Sequence, residues 1–428
     1  MIQNLHGSFD YTTEMKSTML RAAIVVAGGL VTVYGFWSGA RHMSDFAGYY
    51  TSARILVTDD SVSHMYDDAW FVNRMHRYGI PDSTLIMYVN PPPVAVVMTP
   101  LAWMPPVGAK IAWNAIGAVL LLVMFTVLRR LFNSPQDAFT TTLMAAIFFC
   151  TLPFLRNLQR GQLYILMLAL LVLFVRGYLT DKPLLASVSL ALLLLLKFFG
   201  WMFLLLFLAE RRWKELGATA LFVIVGTLIG LFVFGVDTYR AHIEVLGAAM
   251  ARADFAFTGL PCVPALFGSL FTFHPLWNVN PVGDLPLLSS LLTAGSLAAM
   301  LIVTFARTPH NDMTRLSAIA ILSVIFTPLA ADHHYILLFL PASYILVNTD
   351  FRQSDRRELV LLVIVLILVL GWYPQPKMSM LAGLTKVFAF PRLYATVLLW
   401  SLLLRRNGRP NPARPDGGTR HHIHDHLP

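Results

Sequence analysis

Residues 183–213 read PLLASVSLALLLLLKFFGWMFLLLFLAERRW, and this stretch decides the fold. Lys197 is its one charge between Pro183 and Ala209. A run this apolar is stable where hydrocarbon or other apolar helices surround it. Lys197 interrupts it near the middle. The stretch therefore reads as two shorter helices meeting at Lys197-Phe198-Phe199-Gly200. Arg211 and Arg212 close it, as paired cations close the inner end of a membrane segment.

The whole chain has the same character. Its 428 residues are 57% hydrophobic and 13% charged, with a mean hydropathy of +0.64. A soluble domain carries about 25% charged residues. So few charges do not cover a water-facing surface, and the composition implies an all-α, polytopic integral membrane protein. One transmembrane domain is expected over 1–404. The net charge of +9 does not indicate nucleic acid, because the basic residues sit in pairs at the ends of apolar segments. Cys150 and Cys262 define neither a disulfide framework nor a metal site. Ser38-Gly39-Ala40 resembles a weak signal-cleavage site, but the many later spans favour retention of the first apolar run as a helix.

Apolar windows place spans at 20–38, 92–131, 137–154, 161–178, 183–208, 217–235, 286–306, 314–328, 333–348, 358–373 and 391–404. Segment 92–131 exceeds the roughly 20 residues of one crossing. With Pro100, Pro105 and Pro106 it is either a kinked helix or a short dip followed by a full span. If 183–208 crosses twice and 92–131 once, about 12 crossings result and both ends are cytoplasmic. Arg129-Arg130, Arg356-Arg357 and Arg405-Arg406 then all fall inside. The outer side holds the first loop (39–91), the short turn 156–162, the Lys197 break and the loop 236–285. The tail 405–428 is basic, rich in Pro and Gly, and expected to be disordered. Its His421, His422, His424 and His426 fit a weak metal-binding cluster or simply an unstructured end.

The outer segments carry the residues suited to chemistry. Asp45, in MSDFAGYY just past the first span, is either a general base at the lipid–water boundary or the cap of a short interfacial helix. That helix would lie on the membrane with Phe46, Tyr49, Tyr50 and Ala53 on its apolar face. Asp59, Asp60, Asp67 and Asp68 read as solvated loop acids. Lys197 either binds an anionic group or snorkels to the interface. His333 and His334 are either phosphate contacts or interfacial side chains paired with Asp332. Arg156, Asn157, Arg160 and Gln162 crowd one turn, where the cations bind a specific anion or merely lipid headgroups. Tyr88 and Asn90 precede the prolines that lead the chain back into the bilayer.

In order along the chain stand D-F-x-x-Y-Y from Asp45, Tyr-x-x-Pro-Pro from Tyr88, the Gly161-Gln162 helix start and Lys197-Phe198. Arg211-Arg212-Trp213 and His334-Tyr335 follow. Together they resemble glycosyltransferase family 87, relatives of mannosyltransferases with the GT-C-type bundle. The resemblance covers about residues 20 to 400. Phe198 departs from it, standing where a proline usually follows the lysine.

The resemblance implies transfer of a hexosyl group, mannosyl in the first instance, from a polyprenyl-phosphate donor to a lipid or glycan acceptor at the outer membrane face. Asp45 then falls at the position of the general base, and His334 or His333 near a histidine that contacts donor phosphate. Lys197, Arg156 and Arg160 would share the phosphate, while Tyr49, Tyr50, Tyr88, Asn90, Asn157 and Gln162 would line the substrate site. No metal motif is visible and no cofactor is expected, although the superfamily accommodates a divalent ion held by Asp45 and a partner. A bacterial inner membrane with a periplasmic site is the expected location. The rival reading is a transporter or flippase for a lipid-linked sugar, using the same cavity without Asp45 as a base.

Overall fold

A computed structural model of the chain describes residues 3–58, 61–81, 90–132, 138–251, 260–309, 312–351, 353–374 and 381–406. Eighteen α-helices lie among them. The first seven are α1 (Gln3–Arg41), α2 (Ser44–Val57), α3 (Asp68–Arg77), α4 (Val94–Met98), α5 (Pro106–Leu131), α6 (Ala138–Phe149) and α7 (Leu152–Arg160). Then come α8 (Tyr164–Leu179), α9 (Pro183–Lys197), α10 (Met202–Ala209), α11 (Trp213–Phe234), α12 (Val236–Ala251) and α13 (Val263–Phe271). The last five are α14 (Pro286–Arg307), α15 (Met313–Ile325), α16 (Phe339–Val347), α17 (Arg356–Leu370) and α18 (Pro391–Arg406). The one extended pairing among the described residues is an isolated bridge between His274 and Asn278.

The chain is a membrane protein. Among the described residues five helices are long and apolar enough to cross a bilayer, or six if the bent pair 383–405 counts as one span. α11 and α14 are largely exposed despite their apolar composition. Helices with that surface require hydrocarbon as their solvent. The apolar helices α8, α9 and α15 are shorter. They make the interior instead: every residue of α15 is buried, and so is most of α8.

Segment 92–131 takes the second of its two expected forms, and two other segments resolve differently from the sequence reading. Segment 92–131 is a short dip, α4 with a 3₁₀ turn at Thr99–Leu101, followed by the full-length α5. The expected outer turn 156–162 is helical through Arg160, and the helix stops only at Gly161 in the left-handed region. α2 does not leave an apolar face open to lipid, as the sequence reading expected. Phe46, Ala47, Gly48, Tyr49, Tyr50, Thr51, Ser52 and Ala53 are all buried, so both its faces are covered by protein. Asp67 is not merely solvated, since its carboxylate accepts the Trp70 amide and caps α3. Asp59, Asp60, Tyr88 and the tail beyond Arg406 lie outside the described residues.

Close approach of α1 to α7 sets the geometry of the site. Gly35 and Gly39 lie one turn apart on α1, where Cβ atoms would meet Leu158 Cβ at 2.9 Å and Leu158 O at 2.8 Å. Small residues four apart let helix backbones meet inside a membrane. α7 is therefore drawn against the end of α1, beside the start of α2.

Two polar clusters lie at opposite ends of α8. Tyr164 at its start joins the group containing Lys197 and His334. Tyr178 near its end hydrogen-bonds Glu210, which also pairs with Arg315 at 2.7 Å. The fourteen residue steps from Tyr164 to Tyr178 separate the clusters by about 21 Å, most of the roughly 30 Å thickness of a hydrocarbon core.

Candidate active site

The α1–α2 connection aims Asp45. Ser44 adopts φ 45°, a region that costs an ordinary residue about 1–3 kcal/mol. The turn is held from below by Lys110 on α5, whose side chain is fully buried. Its ammonium donates to the carbonyls of His42, Met43 (3.3 Å) and Gln159 (2.8 Å). An ammonium has three donors, and here each has an acceptor. These carbonyls cluster where α1 and α7 end, the helix pole that favours a cation. One lysine thus ties the residues just before Asp45 to the residue just before Arg160.

Asp45 does not cap its helix, because α2 has no side-chain cap. Its carboxylate instead faces Arg160 Nη1 at 3.5 Å, with Ser44 Oγ at 3.4 Å. Its side chain is 20% exposed, so water and a substrate hydroxyl can reach it. Gly161 makes this pairing possible. It has φ 64°, and a Cβ there would lie 2.7 Å from Phe46 Cβ. The end of α7 therefore rests directly on the first turn of α2.

Lys197 ends α9, and Phe198 terminates the helix in the left-handed region at φ 52°. A proline, locked near φ −65°, does not adopt that conformation. The departure noted in the sequence is thus a different backbone path. Lys197 Nζ donates to Asn90 Oδ1 and to Tyr49 Oη at 3.1 Å. Tyr49 in turn donates to Gln162 Oε1 at 2.7 Å. Burial, followed by the charge of Asp45, holds the Tyr49 phenol well above its ordinary value of 10.0, so it serves as a neutral relay. Lys197 does not snorkel out to water, for its ammonium lies over the rings of Tyr49 and Tyr164 at 5.3 and 5.5 Å.

The histidines belong to a 3₁₀ turn, Asp332–Leu338. Asp332 pairs with Arg392, a fully buried residue at the start of α18, and with neither histidine. Asn157 on α7 donates to the His333 carbonyl at 2.9 Å. His334 Nδ1 accepts the Ala331 amide at 3.0 Å, and its Nε2 lies 2.6 Å from Tyr164 Oη. His333 Nδ1 and Asn157 Oδ1 are buried without a hydrogen-bond partner. The charges of Arg160 and Lys197 reach both imidazoles, and that of Asp45 reaches Lys197.

Asp45, Arg160, Lys197, Tyr49, Asn90, Gln162, Asn157, His333 and His334 therefore form one connected neighbourhood. Arg156 instead donates to Gln159 at 2.9 Å, although its charge reaches His333. Tyr50 hydrogen-bonds the Met104 carbonyl, a neighbour outside this group. The sequence reading missed Lys110, Tyr164 and Arg392. A lysine in the apolar run of α5 carried a signal, since an ionisable residue at membrane depth asks for a role. Tyr164, two residues past Gln162, carried none.

A water-sized cavity of about 10 Å³ adjoins the site, lined by Trp113, Asn114, Asn157 and Gln162 among others. The site as a whole offers a part-exposed carboxylate beside cations and neutral donors. That combination can take a proton from a hydroxyl while stabilising a departing anion.

The model of glycosyltransferase family 87 matches residues 88–329, more than half of the chain. The matched stretch includes Arg156, Arg160, Tyr164 and Lys197. It begins after Asp45 and ends before His333. No curated protein and no solved structure matches the chain.

Proposed function

The chain belongs to glycosyltransferase family 87, and from that premise we propose that it transfers a hexosyl group, mannosyl in the first instance, from a polyprenyl-phosphate donor. The acceptor is a lipid or glycan hydroxyl at the outer face of a bacterial inner membrane. In this reading about 12 crossings, with both ends cytoplasmic, leave the Asp45 cluster on the periplasmic side.

One observation carries the proposal. A water-accessible carboxylate, an ammonium, a guanidinium and two adjacent imidazoles converge from four distant parts of the chain. A transporter needs a polar cavity for its cargo, whereas sugar transfer needs in addition a base beside the anion site, and Asp45 supplies that base. Asp45 takes the proton of the acceptor hydroxyl. The oxygen attacks the anomeric carbon from the face opposite the phosphate, and polyprenyl phosphate leaves with inversion. Lys197 and Arg160 are positioned in advance for the charge that develops on the phosphate. Such preorganised stabilisation typically contributes about 3–4 kcal/mol per donor. The reading requires no metal, because protein cations fill that role.

Purified protein in lipid nanodiscs, incubated with a panel of polyprenyl-phosphate sugars, should consume one donor and form a glycosylated acceptor. Asp45→Asn should lower transfer by about 10²–10⁴-fold with donor binding and thermal stability retained. If wild type forms no product with any donor while lipid-linked sugar still crosses the bilayer in Asp45→Asn, the flippase reading replaces this one.

A further inference from the structure

We propose that Tyr164 is the neutral hydrogen-bond donor to the leaving phosphate, and that His334 acts only through it. The inference rests on the donor chemistry proposed above and deepens it by naming one more catalytic residue.

The argument begins with a backbone amide. The Ala331 N–H can only donate, and it points at His334 Nδ1 from 3.0 Å. Nδ1 must therefore carry a lone pair, which leaves the ring proton on Nε2. Nε2 lies 2.6 Å from Tyr164 Oη, so the imidazole donates and the phenol oxygen accepts. The hydroxyl proton of Tyr164 is then directed elsewhere. Among the described residues no other hydrogen bond reaches that oxygen. Tyr164 is 5% exposed, and a buried hydroxyl proton without an acceptor is costly. An anion in the site would supply the acceptor.

The surroundings select the anion. The Lys197 ammonium stands 5.5 Å from the centre of the Tyr164 ring. His333, whose ring centre is 5.2 Å from that of Tyr164, has a buried and unpartnered Nδ1. A phosphate held there would be neutralised by Lys197 and receive the phenol proton as a hydrogen bond. No proton is transferred in this contact. The acceptor proton still goes to Asp45, and polyprenyl phosphate departs as the anion. A neutral imidazole with its Nε2 proton already committed to Tyr164 has none left for the phosphate. His334 is thus a positioning residue.

Binding of farnesyl phosphate, compared with farnesol, tests the assignment in the full-length protein. Wild type should prefer the phosphate. Tyr164→Phe should weaken farnesyl phosphate by about 10- to 100-fold and leave farnesol unchanged. His334→Phe should lose a comparable factor, and the double variant should be no worse than Tyr164→Phe alone. Unaltered farnesyl phosphate binding in Tyr164→Phe, or multiplied losses in the double variant, overturns the proposal. A wild type that does not distinguish the two probes refutes the donor class itself. Should Tyr164→Phe not fold, a fluorotyrosine at 164 keeps ring and hydroxyl but ionises at lower pH. Farnesyl phosphate should then dissociate at lower pH than from wild type, and an unchanged pH profile overturns the proposal.

Discussion

Gly161→Ala is the sharpest test of how the site is assembled. Gly161 sits at φ 64°, where an L-residue costs about 1–2 kcal/mol. The added methyl would lie 2.7 Å from Phe46 Cβ, well inside the ordinary separation of about 3.5–4.0 Å. Phe46 Cβ is fixed to its backbone and cannot swing aside, so α7 and α2 must part. Overpacking of this kind costs about 1–3 kcal/mol. Together the two effects predict about 2–5 kcal/mol of lost stability. They also predict separation of Arg160 from Asp45, now 3.5 Å apart. A displacement of about 1 Å near reacting groups lowers turnover about 10²-fold. Gly29→Ala is the control, for nothing lies within 4 Å of a Cβ there and the change should stabilise α1 by about 0.5–1 kcal/mol. The assays are thermal unfolding in detergent and sugar transfer in nanodiscs. Wild-type stability and turnover in Gly161→Ala would refute the claim that contact between α7 and α2 builds the site.

Two further substitutions separate the ends of the molecule. Lys110→Met removes the shared donor of the part-buried carbonyls of His42, Met43 and Gln159, which costs up to about 1–3 kcal/mol for each one left without a partner. Transfer should fall in the folded protein by about 10²-fold, with Lys110→Arg recovering part of it; full turnover in a folded Lys110→Met would exclude the positioning role. Glu210→Gln leaves the Arg315 guanidinium, 3% exposed, buried beside a neutral partner, and should destabilise by about 3–5 kcal/mol. Because this pair lies at the far end of α8, about 21 Å from Tyr164, turnover per folded molecule should stay at the wild-type level, and a selective loss of kcat would show that the two ends are coupled.

The class of the protein and its family were legible in the linear chain because hydropathy and short motifs are local properties. Lys197 alone in residues 183–208 already announced a broken helix and an ionisable group at membrane depth, and Asp45 drew attention as an acid beside the first span. Neither property depends on what lies opposite. The role of each group was a different matter. Asp45 was balanced between base and cap; the structure removes the cap, since α2 has no side-chain cap, and gives the carboxylate Arg160 as its partner. α2 was expected on a lipid surface because its aromatics suit an interface, but burial on both faces depends on helices that arrive later in the chain.

What the order of residues determined by itself is the solvent: so few charges among so many apolar side chains permit hydrocarbon and little else. Only the tertiary structure decided which polar groups meet. Tyr49 reaches Gln162, Lys197 reaches Asn90, and Tyr164 reaches His334 across 113, 107 and 170 positions. No local pattern encodes such pairings. They follow from glycines that let helices touch and from buried donors that must find an acceptor, conditions met only when the whole bundle has closed.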